Sequence, residues 1–136
     1  MKTRVEKAVE KKNKGYNCAQ AVACTYCDLV GMDEQTMFKM TEAMGAGLGG
    51  MEGTCGALLG ACAIAGMKYS CGTPDNPVSK GETAKYSREM TKRFLNQNTT
   101  IKCKDLKGVE TGKILRDCSD CVRDAAKYLE DVVFSE

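Results

Sequence analysis

The stretch most able to do chemistry is the glycine-rich run from residue 44 to 60, which contains a single cysteine, Cys55. Glycine at this density is typical of backbone that turns with positive φ or approaches another group closely. An apolar helical segment follows, and Thr54 is predicted to be its N-cap with Cys55 as the first helical residue. The unpaired backbone N–H groups and the helix dipole there favour a thiolate. Cys55 is therefore a candidate reactive or metal-binding residue.

Cysteine is also the main source of chemistry in the rest of the chain. The 136 residues include nine cysteines and no histidine. Without histidine, the chain cannot form a Cys/His nucleophile pair, a Cys₂His₂ zinc site or a histidine-ligated haem. An odd number of cysteines also leaves at least one of them outside any intrachain disulfide scheme. Chemistry near neutral pH therefore depends chiefly on thiols.

Four of the nine cysteines share a position at the predicted start of a helix: Cys18, Cys55, Cys103 and Cys118. Helix ends cluster at the ends of a bundle, so these four N-termini are predicted to converge on one electropositive pocket. Gly53, Thr54 and Gly56 are the backbone positions expected to approach a bound cofactor there. The four thiols are candidate catalytic residues and, alternatively, candidate metal ligands.

The other five cysteines receive weaker interpretations: Cys24, Cys27, Cys62, Cys71 and Cys121. Cys24 and Cys27 fall on the far side of their helix from Cys18 and are interpreted as small hydrophobic residues. Cys62 lies too far along its helix to form a disulfide with Cys55, and Cys71 is interpreted as an incidental loop residue. Cys121 forms a CxxC motif with Cys118 and could serve as an auxiliary thiol.

The elements that must position these thiols are predicted to be helical. Apolar residues recur at helical spacing, as with Val122 and Leu129 in the last helix, and nothing alternates convincingly with period two. Asn17, Asp33 and Asp117 are predicted to be helix N-caps, and Ser79 and Glu82 are expected to form a capping box. We predict an all-α fold, a compact single-domain bundle of about five or six helices with a glycine-rich turn, over residues 1–136.

Charge and hydropathy exclude several classes of partner. The 20 basic and 18 acidic residues are spread along the chain, so neither nucleic acid nor a membrane surface is an expected partner. The one basic cluster, residues 11–14, is interpreted as a solvated helix end rather than a phosphate-binding patch. No signal peptide or membrane span is evident, and a cytoplasmic location, where cysteines are usually reduced, is expected.

Four sequence blocks, in this order, resemble those of the C_GCAxxG_C_C family: Asn17-Cys18-Ala19-Gln20-Ala21-Val22, Gly53-Thr54-Cys55-Gly56-Ala57-Leu58-Leu59-Gly60, Cys103-Lys104-Asp105-Leu106, and the segment starting at Cys118. The similarity covers about residues 5–133. It implies a small redox-active protein whose family cysteines fall on Cys18, Cys55, Cys103 and Cys118. The other five cysteines depart from the family pattern.

A second resemblance concerns metals. A related cysteine-bearing domain is found in split-Soret cytochromes, where cysteine-bound iron accompanies haems. The present chain has no CxxCH motif, so haem is not implied, but an iron–sulfur cluster or another thiolate-bound metal such as zinc remains an alternative.

Three functions are compatible with these residues. In the first, a thiolate such as Cys55 attacks a disulfide or peroxide and a neighbour such as Cys18 resolves the intermediate, as in a thiol-dependent oxidoreductase acting on a small thiol or disulfide or on a redox partner protein. In the second, the four helix-start thiolates ligate a [2Fe–2S] cluster or zinc. In the third, the chain is a cysteine-rich helical interaction domain.

Overall fold

A computed structural model describes residues 1–135 of the chain. These residues contain seven α-helices: α1 (Val5–Asn13), α2 (Cys18–Tyr26), α3 (Glu34–Thr41), α4 (Gly56–Tyr69), α5 (Lys80–Asn98), α6 (Cys103–Lys107) and α7 (Cys118–Val133). Two 3₁₀ turns, Cys27–Val30 and Glu42–Met44, follow α2 and α3. Within this part of the chain the β structure is limited to one isolated antiparallel bridge, between Thr54 and Lys102. The prediction of an all-helical fold is confirmed.

The helix count exceeds the five or six that we predicted. The difference lies in α6, a helix of five residues that the sequence pattern indicated only as a turn. The Gly45–Leu48 segment also has a helical hydrogen bond, but Ala46 and Gly47 have φ angles of 52° and 59°, in the left-handed region. We therefore treat Gly45–Leu48 as part of the glycine-rich loop.

Helix α2 lies at the centre of the bundle, and all nine of its residues are buried. Its start is fixed by a capping box, because the Asn17 side chain accepts a hydrogen bond from the Gln20 N–H at 2.9 Å and the Gln20 side chain accepts one from the Asn17 N–H at 3.0 Å. The Asp33 and Asp117 side chains cap α3 and α7 by accepting hydrogen bonds from the Thr36 and Asp120 N–H groups, without the reciprocal bond. These three N-caps agree with the sequence prediction.

The predicted cap of α4 is wrong by one residue. Cys55, rather than Thr54, is the N-cap, and the helix begins at Gly56. Thr54 is instead held in the β-bridge with Lys102, and the Cys55 N–H donates to the Ile101 carbonyl at 2.7 Å. A contact between distant parts of the chain therefore replaces the local capping interaction that the sequence favoured.

The predicted capping box at the start of α5 is also absent. Ser79 precedes the helix but makes no capping hydrogen bond to it. Its hydroxyl accepts a hydrogen bond from the Cys71 N–H at 2.9 Å, which closes the loop between α4 and α5. The hydroxyl is thus used within the loop rather than by the helix.

The closest helix packing joins α2 to α4. A Cβ atom on Gly60 would overlap the backbone carbonyl of Ala19, and one on Gly56 would lie 2.8 Å from the Met44 carbonyl. The two helices approach this closely because neither glycine carries a side chain. This contact places the N-terminus of α4 beside that of α2.

Helix α7 is fixed to α1 and α2 through one carboxylate. The Glu130 carboxylate accepts hydrogen bonds from the Arg4 backbone N–H at 2.7 Å and from the Tyr26 hydroxyl at 2.6 Å. Three helices therefore meet at one carboxylate, which holds α7 against α1 and α2. No helix within residues 1–135 is both long and apolar enough to cross a membrane.

The close contact predicts an asymmetry between two glycines of α4. Gly60→Ala should lower the free energy of unfolding by about 1–3 kcal/mol, since the added methyl group overlaps the Ala19 backbone. Gly66→Ala is the matched control, because no atom lies within 4 Å of a Cβ built there. The control should stabilise the helix by roughly 0.5–1 kcal/mol. Urea denaturation measures both, and equal effects would contradict the packing argument.

Candidate functional site

A cavity of about 160 Å³ opens where helices α2, α4, α6 and α7 begin. All four helix-start cysteines line it, together with a fifth: Cys18, Cys55, Cys103, Cys118 and Cys121. The structure thus brings together the four thiols that the sequence singled out. Of the three backbone positions predicted to approach a cofactor, Gly56 lines the cavity, whereas Gly53 and Thr54 do not.

Gly53 and Thr54 support the cavity from behind. The Gly53 carbonyl accepts a hydrogen bond from the Cys103 N–H at 2.9 Å, and Thr54 forms the bridge with Lys102. These bonds join the glycine-rich loop to the start of α6. They set the position of Cys103 relative to Cys55, the residue that follows Thr54 in the chain.

Gly47 is required on the other side of Cys103. Its φ of +59° lies in the left-handed region, and a Cβ atom there would overlap the Cβ of Cys103. The glycine-rich loop therefore folds over Cys103 with backbone against side chain. This close approach is the role that the glycine density of the sequence indicated.

Cys18 and Cys118 form one pair of interacting thiols. A hydrogen bond from Cys18 lowers the pKa of Cys118 to about 5, and the Lys107 ammonium beside it acts in the same direction. The interaction with Cys118, together with burial, raises the pKa of Cys18. Cys118 is half-buried and Cys18 is buried. The pair therefore consists of a half-buried thiolate and a buried thiol, both of which line the cavity.

Cys55 and Cys121 form a second pair with the same division into thiolate and thiol. A hydrogen bond from the Cys121 thiol lowers the pKa of Cys55, and the backbone N–H groups of Ala57 and Leu58 at the start of α4 add to this effect. The pKa of Cys121 is raised by its interaction with Cys55 and by burial. The thiol beside Cys55 is thus Cys121, rather than the Cys18 named as an example in the sequence analysis.

Cys103 stands apart from these pairs. It is buried, and this burial raises the pKa of its thiol. Neither pair includes it as a hydrogen-bonding partner. Of the four cysteines of the family pattern, only Cys18 and Cys118 therefore pair with each other, because Cys121 takes the place beside Cys55.

Cys121 is the site residue whose importance the sequence analysis underestimated. It lies three residues after Cys118 on α7, so both side chains project from the same face of the helix. That spacing was visible in the sequence as a CxxC motif. What was not visible is that this face meets the N-termini of both α2 and α4.

The remaining cysteines lie outside the cavity lining. Cys24 and Cys27 are buried in the hydrophobic core, and burial raises the pKa of Cys24 to about 12. Cys62 is half-buried. Cys71 is exposed in the loop before α5, where the Ser79 hydroxyl and two backbone N–H groups lower its pKa to about 6. Cys71 is therefore a second reactive thiol, separate from the cavity.

The cavity sulfurs are also potential metal ligands. Among residues 1–135, no group of three or more cysteine, aspartate or glutamate side chains is arranged to hold a metal ion. Structural zinc is usually held by four cysteine, or cysteine and histidine, ligands. The cavity supplies enough sulfur atoms, but their arrangement does not fit a single ion such as zinc.

The fold and this site define a class: a small all-helical protein with a cavity lined by cysteines at the starts of its helices. Residues 16–132 match the family described as "Putative redox-active protein (C_GCAxxG_C_C)", and the chain belongs to that family. This finding confirms the family resemblance of the sequence blocks. The chain matches no curated protein and no solved structure.

The titratable groups facing Cys118 come from every helix around the cavity: Lys12 on α1, Cys18 on α2, Cys55 on α4, Cys103 and Lys107 on α6, and Cys121 on its own helix. The two lysines and the Cys18 thiol favour the ionised form of Cys118. Burial and the neighbouring sulfurs oppose it. Because the pKa of Cys118 is lowered, the two lysines and the Cys18 thiol outweigh burial and the neighbouring sulfurs.

This balance predicts an unusual pH dependence for alkylation of Cys118. Because its pKa is lowered to about 5, the thiolate persists in mildly acidic solution. In a Cys71→Ser background, its rate of reaction with iodoacetamide should stay constant from about pH 8 to about pH 6, then fall as the pH drops through the lowered pKa. Lys107→Gln should move the fall to higher pH. Mass spectrometry of the labelled peptide measures the rate in both proteins. In the parent protein, a fall centred near pH 8.5, the usual pKa of a thiol, would contradict the lowered pKa of Cys118.

Proposed function

We propose that this protein carries out thiol–disulfide exchange with Cys118 as the attacking thiolate and Cys18 as the resolving thiol. The observation that supports the proposal is that a cysteine with a lowered pKa, Cys118, and its interacting neighbour Cys18 line the same cavity. Thiolate is the nucleophilic form of cysteine, and a neighbouring thiol is needed to release the mixed disulfide. The activity would make the protein a thiol-dependent oxidoreductase.

The proposed reaction proceeds in two exchanges. The Cys118 thiolate attacks one sulfur of a disulfide RSSR, which forms a Cys118–SR bond, breaks the S–S bond of the substrate and releases RS⁻. Cys18 then loses its proton to RS⁻ and attacks the Cys118 sulfur, which releases the second RS⁻. The protein is oxidised to a Cys18–Cys118 disulfide, and the substrate is reduced to one RSH and one RS⁻.

The second pair provides another two-electron couple in the same cavity. The electrostatic influence of Cys55 on Cys18 places the two pairs close together. Cys55 is buried and faces the thiol of Cys121, so a substrate reaches it less easily than it reaches Cys118. We assign entry of the substrate to Cys118 and storage of a second disulfide to Cys55 and Cys121.

A cysteine-ligated metal or iron–sulfur centre is the second candidate function. It is favoured by the number of sulfur atoms that line one cavity. It is opposed by the arrangement of these sulfur atoms. Within residues 1–135, no group of three or more cysteine, aspartate or glutamate side chains is placed so that it could hold a metal ion. We therefore rank thiol–disulfide exchange first.

Disulfide mapping tests the proposed pairs. Reduced protein treated with 2-hydroxyethyl disulfide should form Cys18–Cys118 and Cys55–Cys121 bonds, identified by mass spectrometry of peptides prepared without reduction. Cys118→Ser should abolish the first bond and retain the second.

Cys62→Ser is the control variant, because Cys62 is a half-buried cysteine outside the cavity lining. It should form both disulfides at the parent rate. Bonds that join Cys103 to Cys55, or the absence of any disulfide in the cavity, would contradict the proposal.

Metal content separates the two candidate functions. Protein purified without oxygen should contain iron and sulfide far below stoichiometric amounts and should show no visible absorption from a cluster. Iron and sulfide near two per chain, lost in the Cys18→Ser and Cys103→Ser variants, would identify an iron–sulfur protein. That result would replace thiol–disulfide exchange as the main function.

A further inference from the structure

The wall of the cysteine-lined cavity carries cationic side chains but no carboxylates among residues 1–135. Lys12, Lys107 and Arg116 line it, and its anionic groups are the Cys118 and Cys55 thiolates. The excess of basic over carboxylate side chains is local, because the whole chain has 20 basic and 18 acidic residues. Cationic side chains at a cavity wall raise the local concentration of anionic ligands.

The three cations are not equivalent. The Arg116 guanidinium is held by Asp124 through two hydrogen bonds of 3.0 and 2.9 Å, so its charge is balanced outside the cavity. Within residues 1–135, neither Lys12 nor Lys107 forms a salt bridge, and Lys107 interacts with the Cys118 sulfur. The Lys12 ammonium is therefore available to an anionic ligand from the start, and the Lys107 ammonium becomes fully available as Cys118 loses its charge in the mixed disulfide.

The position of Lys12 differs from what the sequence suggested. The basic cluster at residues 11–14 was expected to be a solvated helix end. Lys11 is half-buried and pairs with Glu34, whereas Lys12 lines the cavity. The last turn of α1 thus contributes a charge to the site that its own sequence pattern did not indicate.

We infer that the cavity takes a small anionic sulfur substrate, a low-molecular-weight disulfide that carries a carboxylate or a similar anionic group. The inference rests on the proposed thiol–disulfide exchange and adds the class of substrate to it. The cavity of about 160 Å³ admits a group of a few heavy atoms. Lys12 and Lys107 bind the anionic group, and Cys118 attacks the sulfur.

Charge selection acts at two points of the reaction. The attacking Cys118 and the departing RS⁻ are both anionic, so an anionic substrate would be repelled in a neutral cavity. The two ammonium groups offset this repulsion and stabilise the thiolate that leaves when the Cys118–SR bond forms. The reaction itself is the exchange already described, with the small disulfide as the oxidant and the cysteine pair as the reductant.

Two alkylating reagents of nearly equal size test the inference directly. Iodoacetate is an anion and iodoacetamide is neutral, and both react with the same thiolate. The ratio of their rates at Cys118 therefore does not depend on how much thiolate is present. We expect Lys12→Gln and Lys107→Gln each to lower the iodoacetate-to-iodoacetamide ratio at Cys118 by about threefold to tenfold at low ionic strength.

Two controls accompany this measurement. Lys92→Gln removes one positive charge from the exposed face of α5, away from the cavity lining, and should leave the ratio at Cys118 unchanged. Cys71, exposed in its loop, is labelled in the same samples, and its ratio should be the same in all three variants. A ratio at Cys118 that does not change in Lys12→Gln and Lys107→Gln would overturn the inference.

Oxidation by small disulfides separates this inference from the proposed function. Dithiodiglycolate is anionic, 2-hydroxyethyl disulfide is neutral and cystamine is cationic. We expect the Cys18–Cys118 bond to form fastest with dithiodiglycolate and slowest with cystamine. Equal rates with all three would overturn the anionic preference while thiol–disulfide exchange stands; no bond with any of them would overturn the exchange and the assigned substrate class together.

Discussion

The close backbone contact between α2 and α4 is the constraint on which the rest of the structure depends. Gly60 lies against the Ala19 backbone with no room for a side chain, and Gly56 lies equally near the loop before it. Because α2 is buried along its whole length, its position is fixed by every helix around it. The contact therefore sets where the N-terminus of α4 lies, and with it the position of Cys55 relative to Cys18.

The site uses two different physical means to keep one thiolate in each pair. Cys55 is buried, and its charge is favoured by the Cys121 thiol and by backbone N–H groups at the start of α4. Cys118 lies nearer the opening, where the Cys18 thiol and a lysine ammonium favour its charge. Backbone dipoles are fixed by the fold, whereas a lysine side chain can follow a ligand. The more open pair is thus the one better suited to meet a substrate.

The helix caps predicted from local sequence are present where no distant group competes for the capping side chain. Asn17, Asp33 and Asp117 cap their helices as expected, because no distant donor competes for the side-chain oxygens that accept the capping hydrogen bonds. Thr54 and Ser79 have equally good local patterns, but one is drawn into a bridge with Lys102 and the other bonds the loop at Cys71. Propensity is decided within a few residues, and a tertiary contact of similar strength can override it.

The sequence by itself determined the helical class, the family, and the four cysteines at helix starts, since periodicity, capping residues and motif order are all local properties of the chain. Only the tertiary structure decided which thiols meet. Cys121 joins Cys55, Cys103 stays unpaired, and Lys12 faces the cavity, because each of these outcomes depends on how distant helices are rotated and packed. Helix rotation is set by the whole core and cannot be read from any one segment.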